Sequence, residues 1–136
     1  MVRKVAAGLV GLGLVSGAGK VAYDKNGGAT VKITDSKTGQ VQSVHITGDG
    51  KSFSCPAGTR AKLEPGVVEL GRIELTLQKV RGQEAAIHRR YPGRVAPHAV
   101  IVRYNGLVRR EGRLVAAYNA NVDEHNAVID RTCHAN

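Results

Sequence analysis

A chain of 136 residues holds one domain and not comfortably two, and 42% hydrophobic residues suffice for a core. One Phe and no Trp exclude an aromatic core and leave an aliphatic one. The formal charge of +9 points away from cationic partners and towards nucleic acid, anionic lipid or an acidic polymer, against the plain alternative of a solvated basic helix face.

The N-terminus reads as a leader. Arg3-Lys4 precede an apolar run from Val5 to Val15, and the small residues Ser16-Gly17-Ala18 follow. That order of basic, apolar and small segments is that of a signal peptide over residues 1–18. A run this short, interrupted by Gly8, Gly11 and Gly13, falls below the usual spanning length. An uncleaved anchor requires extension to Tyr23 with Lys20 reaching back to the interface. Either form predicts a leader helix and a secreted or envelope location. No cysteine stands near the cleavage site, which excludes lipoprotein attachment. The glycines do not follow the GxGxxG spacing of a dinucleotide site.

Residues 19–28 read as a linker ending in Asn26-Gly27-Gly28. Within 29–62, Thr30–Thr34 and Val41–Thr47 are rich in β-branched residues and predict an antiparallel β-hairpin. Asp35–Gln40 joins them, with Gly39 available for a positive φ. Phe53 begins a possible short third strand. Gly50-Lys51-Ser52 resembles the end of a phosphate-binding loop, but the position needing its first glycine is His45, and Cys55-Pro56 follows where a helix should.

Residues 63–136 predict a long antiparallel two-helix hairpin of coiled-coil type. Leu63, Leu70, Ile73, Leu77, Val80, Glu84, Ile87 and Tyr91 form one stripe with alternating three- and four-residue steps from Leu70 onward. Pro65 is expected in its first turn, where a missing N–H costs little. The alternation Ile73, Leu75, Leu77 also permits a strand over 72–80; the length of the stripe favours the helix. The second helix repeats every seven residues: Val100-Ile101, Leu107-Val108, Leu114-Val115, Asn121-Val122 and Val128-Ile129, with Tyr104, Glu111, Tyr118 and His125 between. Tyr91-Pro92-Gly93-Arg94 separates the two helices, and so short a connection makes them antiparallel. Asn105, Asn119 and Asn126 each follow a Tyr or His of the repeat and are expected to hydrogen-bond across the seam. These Tyr-Asn pairs on long helices behind an export signal resemble those of LemA-type envelope proteins; the likeness covers only those few residues and transfers no role to any of them.

Cys55 and Cys133 lie equidistant in sequence from Arg94 in the turn. Antiparallel helices therefore bring them side by side at the far end, and an export signal with two cysteines predicts a disulfide. A zinc site of Cys55, Cys133, His125 and His134 lacks the paired close spacings of such sites. The fold class is thus α+β: a leader helix, a small β-hairpin and a two-helix hairpin closed by sulfur.

No catalytic constellation stands out. There is no GxSxG, and the acid–histidine neighbours Asp123-Glu124-His125 and Asp130/His134 are the kind of pairs that helix surfaces usually carry. Asp130 and His134 would be one turn apart if the helix ran through both. The sequence predicts a non-enzymatic protein without cofactor or metal. The better candidate site is basic: Arg89, Arg90, Arg94, Arg103, Arg109, Arg110 and Arg113 face only Glu111 among acids of that stretch. All eight lysines fall at or before Lys79, so this cluster is purely arginine, which grips phosphate and carboxylate bidentately. The expected function is an exported or envelope-associated binding or scaffold protein presenting an Arg-rich tip to an anionic surface or acidic protein, with possible self-association through the helical stripe. The alternatives are a membrane-anchored coiled-coil spacer or lysis-type protein, and a nucleic-acid-binding helical hairpin, the last disfavoured by an export signal.

Overall fold

The computed structural model describes residues 14–93 and 95–135. The leader's residues 1–13 and Arg94 therefore lie outside the described residues. The elements in order are β1 (Gly17–Tyr23), β2 (Ala29–Asp35), β3 (Val41–Ile46), β4 (Phe53–Ser54), α1 (Thr59–Arg90), α2 (His98–Thr132) and β5 (His134–Ala135). The mixed α+β class holds, and the helical pair is the larger part.

Three strands, not two, form the main sheet, antiparallel in the order β1-β2-β3. The segment read as the end of a leader and a linker is β1, pairing with β2 from Gly17 opposite Asp35 to Tyr23 opposite Ala29. Its small residues have a packing reason. A Cβ on Gly19 would lie 2.5 Å from Val68 Cγ1, so glycine lets the strand lie flat on α1. β2 and β3 pair from Ala29 opposite Ile46 to Thr34 opposite Val41, close to the expected hairpin. Asp35 organises the turn by accepting the Lys37 N–H at 2.7 Å, while Gly39 takes the positive φ of 72°. Alternation then puts Ala29, Val31, Ile33, Val44 and Ile46 on the inner face, all buried.

α1 is helical throughout, so no strand occupies 72–80. It is buried on two faces. Val67, Val68, Leu70 and Leu75 pack with the sheet, and Ile73, Leu77 and Val80 pack with Leu107 and Leu114 of α2. The apparent alternation of 73, 75 and 77 is this switch between two partners. The helix begins at Thr59 rather than near Leu63, so Pro65 stands in the second turn. There the Ala61 carbonyl loses its helical donor; Ala61 is exposed, and water can serve it.

The two helices run in opposite senses: Asn121 reaches Gly66, Glu111 reaches Arg81 and Tyr104 reaches His88. Gly93 supplies the bend at φ 87°. At the other end Cys55 and Cys133 form a disulfide, 78 residues apart in sequence. Beside it β4 pairs with β5, Phe53 opposite Ala135 and Ser54 opposite His134. The expected third strand thus pairs with the chain's end, not with the hairpin.

Candidate anionic-partner interface

The sheet covers α1 only as far as about Thr76. From Leu77 to Arg90 the helix runs on for roughly 20 Å, with α2 beside it. This projecting end carries the predicted arginines that are described, Arg94 lying outside them. Arg89 and Arg90 close α1 and are exposed, as are Arg103, Arg109 and Arg113 on α2; Arg110 is half-buried. Helical geometry places Arg109 and Arg113 on the back of α2, away from α1, and Arg103 and Arg110 on one flank. The guanidinium of Arg90 lies 5.8 Å from the Tyr91 ring centroid.

Between Gln78 and Arg113 the acids are Glu84 and Glu111 alone. Glu111 is bound by Arg81 at 2.8 Å across the helices, and that hydrogen bond holds its carboxyl below the ordinary value. Burial first, and then the neighbouring Glu111, push the Glu84 carboxyl up. Both acids are therefore engaged in the seam rather than spread among the arginines. His88 and Tyr104 complete this polar seam with a 2.8 Å hydrogen bond and edge-on rings 5.0 Å apart.

The helix ends add to the same field. His88, Arg89 and Arg90 lie in the last turn of α1, where the dipole favours cations. α2 begins at the tip with Pro97 at the cap, no side-chain cap and no acid in its first turn. Its first N–H groups face outward at the end where the arginines gather.

Sequence reasoning missed the apolar content of this end. Of the exposed large hydrophobic residues, four lie here: Val95 (89% exposed), Val102 (53%), Val108 (45%) and Ile101 (41%). The heptad pattern assigned Ile101 and Val108 to the stripe. Leu107 and Leu114 do face α1, but the second members of the pairs look sideways. Nearer the base the same row is covered, since Val122 packs against the sheet core; near the tip no described residue covers it.

The expected Asn contacts are corrected. Asn105, Asn119 and Asn126 are exposed, and the buried amide is Asn121, which donates to the Gly66 carbonyl at 3.4 Å. Asp130 and His134 do not share a helix face, because α2 ends at Thr132 and His134 belongs to β5. The disulfide removes both thiolates from any zinc site. No group of three metal-binding side chains occurs among the described residues. No helix among them is long and apolar enough to cross a membrane.

The predicted cleavage site is structurally engaged. Leu14 and Val15 pack against the core, and the Val15 N–H reaches Thr76 Oγ1 at 3.4 Å. The Ser16 and Ser36 hydroxyls are 2.7 Å apart, and Arg72 donates to the Gly17 carbonyl. No protein-family model, curated protein or solved structure matches the chain.

Proposed function

We propose that the chain is a non-enzymatic, exported or envelope-associated binding protein that docks through its helical tip on an anionic lipid surface. One observation carries this: exposed apolar side chains and arginines share the one end of the molecule that projects beyond the sheet. Arginine alone suits any polyanion, and a solvated basic face needs no valines. Val95, Ile101 and Val102 at the extreme end, with Arg89 and Arg90 in the last turn of α1 and Arg103 in the second turn of α2, suit a headgroup layer met end-on. The apolar tip enters roughly 5–10 Å, and the guanidinium groups lie level with phosphates. The uncapped start of α2 offers backbone N–H groups to the same anions. The disulfide is in keeping with an oxidising compartment.

The test is flotation with vesicles of phosphatidylglycerol or phosphatidylcholine. The expected result is binding to the anionic vesicles only, weakened by salt, and lost when Arg89, Arg90, Arg103 and Arg109 are all changed to Glu. Equal binding to both vesicles, or a variant that still binds, contradicts it. Tight duplex DNA binding with a steep salt slope would favour the nucleic-acid reading instead.

A second reading, an uncleaved N-terminus, is favoured by the engaged residues 14–18, while β1 takes Gly17–Tyr23, the extension that a spanning anchor requires. Cleavage after Ala18 would remove Leu14 and Val15 from the core and two residues from β1. An uncleaved leader and a lipid-docking tip are compatible.

A further inference from the structure

At the base, away from the tip, the sheet and the two helices part to leave an open cleft of about 1120 Å³. This is slightly above the usual range of small-molecule sites. Its walls are aliphatic on both sides: Ile46 from the sheet, Leu63 and Val67 from α1, and Val122 and Ile129 from α2. Leu63, Val122 and Ile129 stay only half-buried, so apolar surface faces this space unfilled.

Polar side chains share the lining, among them Thr47 and Ser52 beside the sheet and Asn119 and Asn126 on α2. His125 lines the α2 wall, and its Nδ1 is buried with no hydrogen-bond partner among the described residues. A buried orphan acceptor costs less than a buried orphan N–H, so the proton belongs on Nε2. Burial lowers the imidazole's pKa and so favours its neutral form. At the rim stand Lys25, Lys51 and Arg60. Arg60 is braced by Tyr23, whose ring centroid lies 5.3 Å from the guanidinium and whose hydroxyl donates to the Arg60 carbonyl. Three acids share the rim. Asp24 is taken by His45 at 2.6 Å, Asp49 accepts the Lys51 N–H at 3.0 Å, and Asp130 stands across on the α2 side.

We propose that this cleft binds the aliphatic chain of a single-chain amphiphile, with its acceptor head, a carboxylate or an ester beside a phosphate, at the Arg60–Lys25–Lys51 side of the rim. The aliphatic walls favour a flexible chain. The side chains of Ile46, Leu63, Val67, Val122 and Ile129 offer a peptide's backbone donors and acceptors no partner. The site lies at the opposite end from the arginine tip and stands whether or not the tip binds lipid.

The experiment is calorimetric titration of the full chain, below the micelle concentration, with saturated fatty acids of increasing length and with lysophosphatidylglycerol. Saturable one-to-one binding is expected, tightening about fourfold per added methylene until the cleft is full. Asn126→Trp, at an exposed residue of the cleft, should obstruct the α2 side of the space and weaken binding several-fold while leaving thermal unfolding unchanged. Arg60→Gln should weaken the fatty acid several-fold and leave the alcohol of equal length unaffected. Preference for the fatty acid or for the lysolipid tells which head the rim was built for. Absence of saturation, no dependence on chain length, or Asn126→Trp binding as the native chain does would overturn the proposal. So would a loss of binding in the Arg89, Arg90, Arg103 and Arg109 variant, which would move the site to the tip.

Discussion

Gly71 of α1 and Val31 of β2 meet with no room for a side chain between them. A Cβ on Gly71 would lie 2.7 Å from Val31 Cγ1 and 2.8 Å from its Cβ. The second atom is fixed to the backbone and cannot rotate away. Gly71→Ala gains up to about 1 kcal/mol of helix propensity. Overpacking a core costs about 1–3 kcal/mol, and here both Val31 and Gly71 are buried. Chemical denaturation should show a net loss of stability, whereas Gly82→Ala, in open space on the same helix, should show a gain.

The disulfide closes a loop of 78 residues and also holds β4 against β5. Replacing both cysteines by Ser should cost about 2–4 kcal/mol. The loss should appear as a lower midpoint in urea. A midpoint unchanged by reductant would mean that the helical seam already fixes the base.

Removal of residues 1–18 should destabilise the protein. It takes Leu14 and Val15 out of the core and deletes the Arg72, Thr76 and Ser36 partners. Half-burial of two aliphatic side chains and the lost hydrogen bonds together come to about 2–4 kcal/mol. N-terminal sequencing of the mature protein should find these residues present.

His125 gives stability a pH dependence. Burial lowers its folded-state pKa, so the unfolded chain takes up the proton first as pH falls. The contribution is constant above about pH 6.5, the unfolded value, and is lost as pH drops from there towards the folded value. Thermal unfolding at pH 7.5 and 5.5 should show a fall for the native chain. In His125→Gln the part of that fall belonging to the imidazole should be missing.

Much of this architecture can be read from the residues. The heptad through Leu107 and Leu114, the Pro92-Gly93 bend and the symmetric cysteines together imply the helical hairpin and its disulfide. β1 could not be read because Gly17-Ala18-Gly19 carries no β-branched signal. Gly19 answers to Val68 on a helix far along the chain. The second buried face of α1 was hidden for a related reason: a helix between a sheet and a helix loses its single stripe and mimics a strand at 73, 75 and 77. At the tip, the arginines were visible as composition. The bareness of Ile101 and Val108 was not, because the repeat that places Leu107 in the seam places Val108 one step outside it. The cleft had no local signature at all, since its walls come from three separated segments.

The native chain has no Trp, so a single introduced one reports without background. Val95→Trp places it at the tip, and Val41→Trp at an exposed position on β3. The decisive measurement is fluorescence of each on phosphatidylglycerol vesicles carrying brominated acyl chains. End-on docking predicts a blue shift and quenching for residue 95 and neither for residue 41. An unshifted residue 95, or equal quenching at both positions, would contradict it.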